Sequence, residues 1–91
     1  MKSLVKKQYS RIEKWRGDYC LLAAAYTDAI EHYLSATEKC RVSGDIVWQA
    51  ASQEGWCVSQ FISSKEKNYD SELANKYTEA INLYSKGYCS F

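Results

Sequence analysis

Small residues recur at helical spacing through residues 17–40, GDYCLLAAAYTDAIEHYLSATEKC, and this pattern narrows the fold more than any other. Gly17, Ala24, Ala29 and Ala36 stand where two helices must approach closely. Tyr26 and Tyr33 stand where the gap between them must be filled. The chain has no proline and only four glycines in 91 residues. Helices can therefore run long without a residue that removes a backbone donor or clashes with the preceding turn. The expectation is an all-α fold.

Four helices follow from the apolar periodicity. Over 4–24, Val5, Tyr9, Ile12, Trp15, Tyr19 and Leu22 recur at steps of three and four, which predicts an apolar stripe for packing with the basic residues opposite. Gly17 inside this helix costs about 1 kcal/mol relative to Ala. Close approach of a second backbone, with Ala29 as the matching small residue, explains it. The apolar phase resets at Ala23-Ala24-Ala25-Tyr26, so the chain turns there, and Thr27 is placed to cap a second helix over 27–41. Its predicted buried stripe is Ala29, Ile30, Tyr33, Ala36, Thr37 and Cys40, leaving His32, Ser35 and Lys39 off it and His32 exposed. A break at 42–44 leads to a third helix over 45–63, capped by Asp45 or Ser43. Its apolar positions are Val47, Trp48, Ala51, Gly55, Val58, Phe61 and Ile62. Trp48 and Trp56 fall two turns apart on roughly one side, which suits core packing better than ligand stacking. Polar residues 63–70 read as a loop. Asp70 or Ser71 then caps a fourth helix over 71–88, with Leu73, Ala74, Tyr77, Ala80, Ile81, Tyr84 and Tyr88 at helical spacing.

The second helix is partly repeated in the fourth. YTDAIEHYLSA at 26–36 aligns with YTEAINLYSKG at 77–87, pairing Tyr26 with Tyr77, Ala29 with Ala80, Tyr33 with Tyr84 and Ala36 with Gly87. The small-residue and tyrosine spacing resembles a tetratricopeptide (TPR) hairpin, although the copies are further apart than the roughly 34-residue unit of a simple TPR array. The reading is two stacked TPR-like antiparallel hairpins in one domain spanning 1–91. Its signature residues are Gly17, Tyr26, Ala29, Tyr33, Ala36, Trp48, Gly55, Ala80 and Tyr84.

Charge and cysteine usage point to binding rather than chemistry. The net charge is +1, but residues 1–16 carry six cations against Glu13, a net of +5. Lys6, Lys7, Arg11 and Lys14 offer a basic face for a partner, or simply a solvated helix face. The cysteines at 20, 40, 57 and 89 form no Cys-x-x-Cys pair and there is a single histidine, so no zinc template is present. Reduced thiols in the cytosol are the expectation, with a secreted disulfide framework as the alternative for an even count. The longest apolar run, 19–26, is too short to span a bilayer, and no direct membrane insertion and no nucleic-acid binding is expected. No Gly-rich phosphate loop, HExxH motif or nucleophile–base constellation appears, so neither an enzyme nor a cofactor is expected.

The frame Lys14, Gly17-Asp18-Tyr19-Cys20-Leu21-Leu22-Ala23, Asp28-Ala29, Tyr33, Ala36, Gly44-Asp45, Trp48, Ala50 and Glu54-Gly55 resembles the helical repeat region of the large TRAPP II vesicle-tethering subunit. That is the Trs-type, NIK- and IKK-binding protein family. Two departures are Ala24, where the family pattern has a turn glycine, and Val47, where it has leucine before Trp48. The resemblance implies a fragment of a much larger scaffold protein in the cytoplasm, peripheral to Golgi and endosomal membranes. Its partners would be other subunits of a tethering complex that activates Rab GTPases, and self-association is compatible with the same reading. The competing reading is a stand-alone TPR-type peptide-binding module. Against it, Asp18 lies one turn beyond Lys14 and would repel a peptide's terminal carboxylate.

Overall fold

The computed structural model describes residues 2–64 and 71–89, with side chains over 7–64 and 71–87. The helices are α1 (Lys2–Leu22), α2 (Tyr26–Ser43), α3 (Ile46–Ser63) and α4 (Ser71–Cys89). Of the residues expected to make a loop at 63–70, Ser63 still belongs to α3, Ser64 follows it in an extended conformation, and 65–70 lie outside the described part. Each helix packs on the next, and α1 also touches α3. Gly87 near the end of α4 abuts Ile46 and Val47 at the start of α3, so these two run antiparallel. Arg11 and Trp15 of α1 meet Asp45 and Trp48, so α1 and α3 run in the same direction. The result is the expected array of two antiparallel hairpins, α1–α2 and α3–α4.

The turns are tight and largely as read. α1 stops at Leu22 rather than at 24, and Ala24 takes a left-handed conformation with φ 61°. Ala25 N–H then bonds back to the Cys20 carbonyl at 2.8 Å, closing the helix end. The second break uses Gly44 at φ 74°, and Asp45 N–H reaches the Cys40 carbonyl at 2.9 Å. Two capping expectations fail. Thr27 lies inside α2, because the Ala25 carbonyl already accepts the helix's first bond, from Ala29 N–H at 2.9 Å. Asp45 occupies the position before α3 but makes no side-chain cap, and its carboxylate faces Arg11 instead. Ser43 Oγ donates back to the Cys40 carbonyl, so it caps nothing in α3.

The larger correction concerns α1. The stripe expected to pack inward faces solvent: Tyr9, Ile12, Trp15, Tyr19 and Leu22 are all exposed, Leu22 at 89 %. The side chain of Val5 lies outside the described residues. The inward face carries Ser10, Glu13 and Gly17. Small and hydrogen-bonded residues win this face because α1 and α2 lie too close for bulky ones. Among the described residues, Tyr33, Cys40, Cys57, Ser10, Ser52 and Ser59 are the largest fully buried side chains. The three serines are compatible with a dry core because each hydroxyl donates to a carbonyl of its own helix, Lys7, Trp48 and Gly55 respectively, at 2.8 Å.

The α2 stripe matches expectation at Ala29, Tyr33, Ala36 and Cys40, all buried, with Ile30 and Thr37 half-buried. The α3 stripe does not. Val47, Trp48, Ala51, Gly55, Val58, Phe61 and Ile62 are half-buried, while Ala50, Ser52, Gln53, Cys57 and Ser59 take the tightest places. α3 is clasped by α2 and α4 together, so more than one of its faces needs small residues. Trp48 and Trp56 serve different grooves: Trp48 meets α1, whereas Trp56 lies with Leu34, Thr37, Gln53 and Lys76. In α4, Leu73, Ala80 and Gly87 are buried, Ala74, Tyr77 and Tyr84 half-buried and Ile81 exposed. Tyr88's side chain lies outside the described residues.

Candidate functional site

The parallel helices α1 and α3 are held in register by one ring. A Cβ added at Gly17 would sit 2.7 Å from Tyr33 Cδ1, and one at Gly55 would sit 2.5 Å from Tyr33 Cζ. Both glycines therefore exist to let α1 and α3 close on the ring of α2. The two signature glycines and Tyr33 are one contact, with Ala29 and Ala36 buried on either side of it along α2. Tyr26 is half-buried beside the first turn, where it lines a depression with Ala24, Ala25 and Ile62.

This register builds a cationic and aromatic cluster across α1 and α3. Arg11 Nε donates to Asp45 Oδ2 at 2.8 Å and its Nη2 to Oδ1 at 3.2 Å, a two-pronged pair. The same guanidinium lies 4.7 Å from the centre of the Trp48 ring, and Lys14 Nζ lies 5.8 Å from it. Trp15 meets Trp48 edge to face, with ring centres 5.7 Å apart. Lys14 donates to Asp18 Oδ2 at 2.6 Å. The expected basic face is thus divided. Arg11 and Lys14 are drawn into the α1/α3 cluster, Lys7 is half-buried, and Lys6 lies outside the residues with described side chains. Hydrogen bonding to Asp45 raises the Arg11 pKa above its already high ordinary value.

On the other flank of α1, Glu13 accepts from Arg16 Nη1 at 2.6 Å and lies 3.2 Å from His32 Nδ1. His32 is therefore not on an exposed face; it is half-buried against α1. Burial works to raise the Glu13 pKa, but the hydrogen bonds from His32 and Arg16 and the nearby Lys39 charge outweigh it and hold it below the usual value. Burial, reinforced by the bond to Asp18, pushes the Tyr33 phenol well above its ordinary range. Burial also raises the thiols of Cys40 and Cys57, the latter to about 11, so both are poor nucleophiles near neutral pH. Cys20, Cys40 and Cys57 are all free, and the side chain of Cys89 lies outside the described residues. Among the described residues, no three His, Cys, Asp or Glu side chains gather as metal ligands, and no helix is long and apolar enough to cross a membrane.

Sequence reading missed the pairs that join distant positions. Arg11 and Asp45 lie 34 positions apart, and neither apolar phase nor local charge predicts their meeting. A signal did exist for the tyrosines. Tyr33 donates to Asp18 of α1, and Tyr84, its copy in α4, donates to Glu54 of α3 at 3.0 Å. Each tyrosine of the repeat thus binds a carboxylate on the first helix of its own hairpin, although Asp18 and Glu54 are not themselves related by the repeat.

Residues 2–68, which include all of α1, α2 and α3, match the family model described as Trs120/TRAPPC9, N-terminal domain. The chain belongs to the Trs120/TRAPPC9 family. Among its relatives, the trafficking protein particle complex II-specific subunit 120 homolog of rice (Oryza sativa subsp. japonica) is 33% identical over 84 residues, covering 89% of this chain. The Arabidopsis thaliana protein of the same name is 33% identical over 91% of the chain. The trafficking protein particle complex subunit 9 of Xenopus laevis is 40% identical over 63% of the chain. The chain spans 7% of the length of the two plant relatives and 5% of the frog one. No solved structure matches it. The matched residues include both helices of the α1/α3 cluster and the left-handed turn at Ala24.

Proposed function

We propose that this chain is a protein-binding scaffold segment of a vesicle-tethering complex, serving Golgi and endosomal membrane traffic and Rab GTPase activation from the cytoplasmic side. The observation that carries the reading is the family match across α1, α2 and α3. Its physical support is an array that spends its small residues on helix contacts and leaves Tyr9, Trp15, Tyr19 and Leu22 on the surface. Aromatic side chains with nearby arginines are the usual anchors of protein interfaces. The segment's role in this reading is binding, with exchange chemistry supplied by other subunits.

The test is co-elution of the 91-residue chain with purified trafficking-complex subunits on size exclusion. A stable subcomplex that is lost with Trp15→Asp is the expected result. Failure to co-elute with any subunit overturns the reading. A stand-alone receptor for peptide C-termini is less well supported, because the Lys14 ammonium is already held by Asp18 and lies near the Trp48 ring. Saturable binding of C-terminal peptides would reverse that preference.

A further inference from the structure

We infer that the outward face of α1 is a docking seam for a separate amphipathic helix whose apolar stripe is flanked by acidic residues. The inference rests on the protein-binding reading and specifies the partner's chemistry. Ile12, Trp15, Tyr19 and Leu22 follow one another at steps of three, four and three, which is the a/d spacing of a helix-pairing seam. They are 38, 57, 76 and 89 % exposed, so the stripe grows more open to solvent along α1. A helix that packed this stripe inward would bury four large side chains. Here the inward face is taken by Ser10, Glu13 and Gly17 instead.

The charges beside the seam select the partner. Counted as a seam, Arg11 and Asp18 occupy one flank and Tyr9 and Arg16 the other. Arg16 is 60% exposed and gives Nη1 to Glu13, which leaves further guanidinium donors for a partner. Arg11 is 40% exposed beyond its pair with Asp45. Asp18 is engaged by both Lys14 and Tyr33. Cations with spare donors thus border both sides, and acidic residues on a partner helix would meet them. Beside Tyr9 the seam continues into a depression of about 340 Å³ lined by Tyr9, Glu38, Lys39 and Val42, with Tyr9 and Val42 both 64 % exposed.

A second copy of the chain and a lipid surface are the other occupants such a face could take, and the experiment separates both from the acidic helix.

The experiment titrates the 91-residue chain with a three-heptad peptide bearing leucine at a and d and glutamate at e and g, a charge pattern that keeps the probe from pairing with itself. Calorimetry and tryptophan emission are the readouts. Saturable binding is expected, weakened by salt, absent for the same peptide with lysine at e and g, and weakened at least about tenfold by Tyr19→Glu with Leu22→Glu, which corresponds to about 1.4 kcal/mol or more. Both positions are exposed, so helicity by circular dichroism should not change. As a second variant, Arg16→Glu should weaken the acidic probe and improve the basic one. The inference is overturned if the acidic probe does not bind, if binding survives the double substitution, or if both probes bind alike. It is also overturned if phosphatidylcholine vesicles carrying phosphatidylserine bind in place of the probe, or if sedimentation shows the chain pairing with itself through this face. Loss of probe binding with intact subunit co-elution sinks the seam alone; loss of co-elution with intact probe binding sinks the tethering role alone.

Discussion

The phenol of Tyr33 donates a hydrogen bond to the carboxylate of Asp18 at 2.5 Å, tying α2 to α1 beside the glycine that lets them meet. A hydrogen bond to a charged acceptor contributes about 1.5–3 kcal/mol. Asp18 also holds Lys14 and its side chain is 39% exposed, so water partly replaces the lost donor and the lower end of that range applies. Tyr33→Phe should therefore cost about 1.5 kcal/mol, a fall in Tm of roughly 6–12 °C for a domain of this size. Tyr84→Phe removes the matching bond to Glu54 at an exposed site and should change stability by no more than about 0.5 kcal/mol. Thermal melts of the two variants side by side check the pair. Equal effects would mean that burial of the bond is irrelevant.

Gly55 tests the other half of that contact. A Cβ there would overlap the Tyr33 ring, and α3 cannot recede without losing its packing on α2. Overpacking costs about 1–3 kcal/mol, against a gain of about 1 kcal/mol from replacing glycine in a helix. Gly55→Ala should still destabilise, by about 1 kcal/mol. In a double-mutant cycle with Tyr33→Leu, the alanine should cost less, because the ring it strikes has gone. Denaturant titration measures the coupling, and strict additivity would refute the contact.

Ala24 holds φ at 61°, a conformation that costs an L residue about 1–2 kcal/mol and glycine nothing comparable. Glycine gives back about 0.4–1 kcal/mol through its freer unfolded chain. Ala24→Gly should raise stability by up to about 1 kcal/mol, seen as a Tm several degrees higher. A lower Tm would show that the turn does not require the left-handed state.

How much of this was legible depends on which residues made the contacts. The turn at Ala24 and the α2 stripe could be read because backbone reversal and small-residue spacing leave local marks. The repeat of Tyr33 in Tyr84 could be read for the same reason. The burial of α1 could not. Its contact face is Ser10, Glu13 and Gly17, and only the partner helix supplies what makes those residues acceptable inside: His32 for Glu13 and the Tyr33 ring for Gly17. Periodicity found the apolar stripe of α1 but turned it inward, whereas it faces solvent. The Arg11–Asp45 pair was hidden for a related reason, since it forms only after α2 has brought α3 alongside α1.

Glu13 makes the fold sensitive to acid. Its carboxylate is 11% exposed and held below its ordinary pKa of 4.5, because hydrogen bonds from His32 and Arg16, with the Lys39 charge, overcome the cost of burial. A carboxylate whose folded pKa is depressed binds fewer protons in the folded chain than in the unfolded one. Its contribution to stability is therefore fully present above about pH 4.5 and is lost as the pH falls through the folded value. Glu13→Gln cannot titrate at this position. Over the interval from pH 5 downward the wild type should lose stability faster than the variant, and the two Tm curves should converge toward low pH. Thermal melts across that interval decide the matter. Parallel curves would mean that the Glu13 carboxylate has the same proton affinity in the folded and unfolded chain, and that its pairing with Arg16 and His32 contributes nothing to the fold.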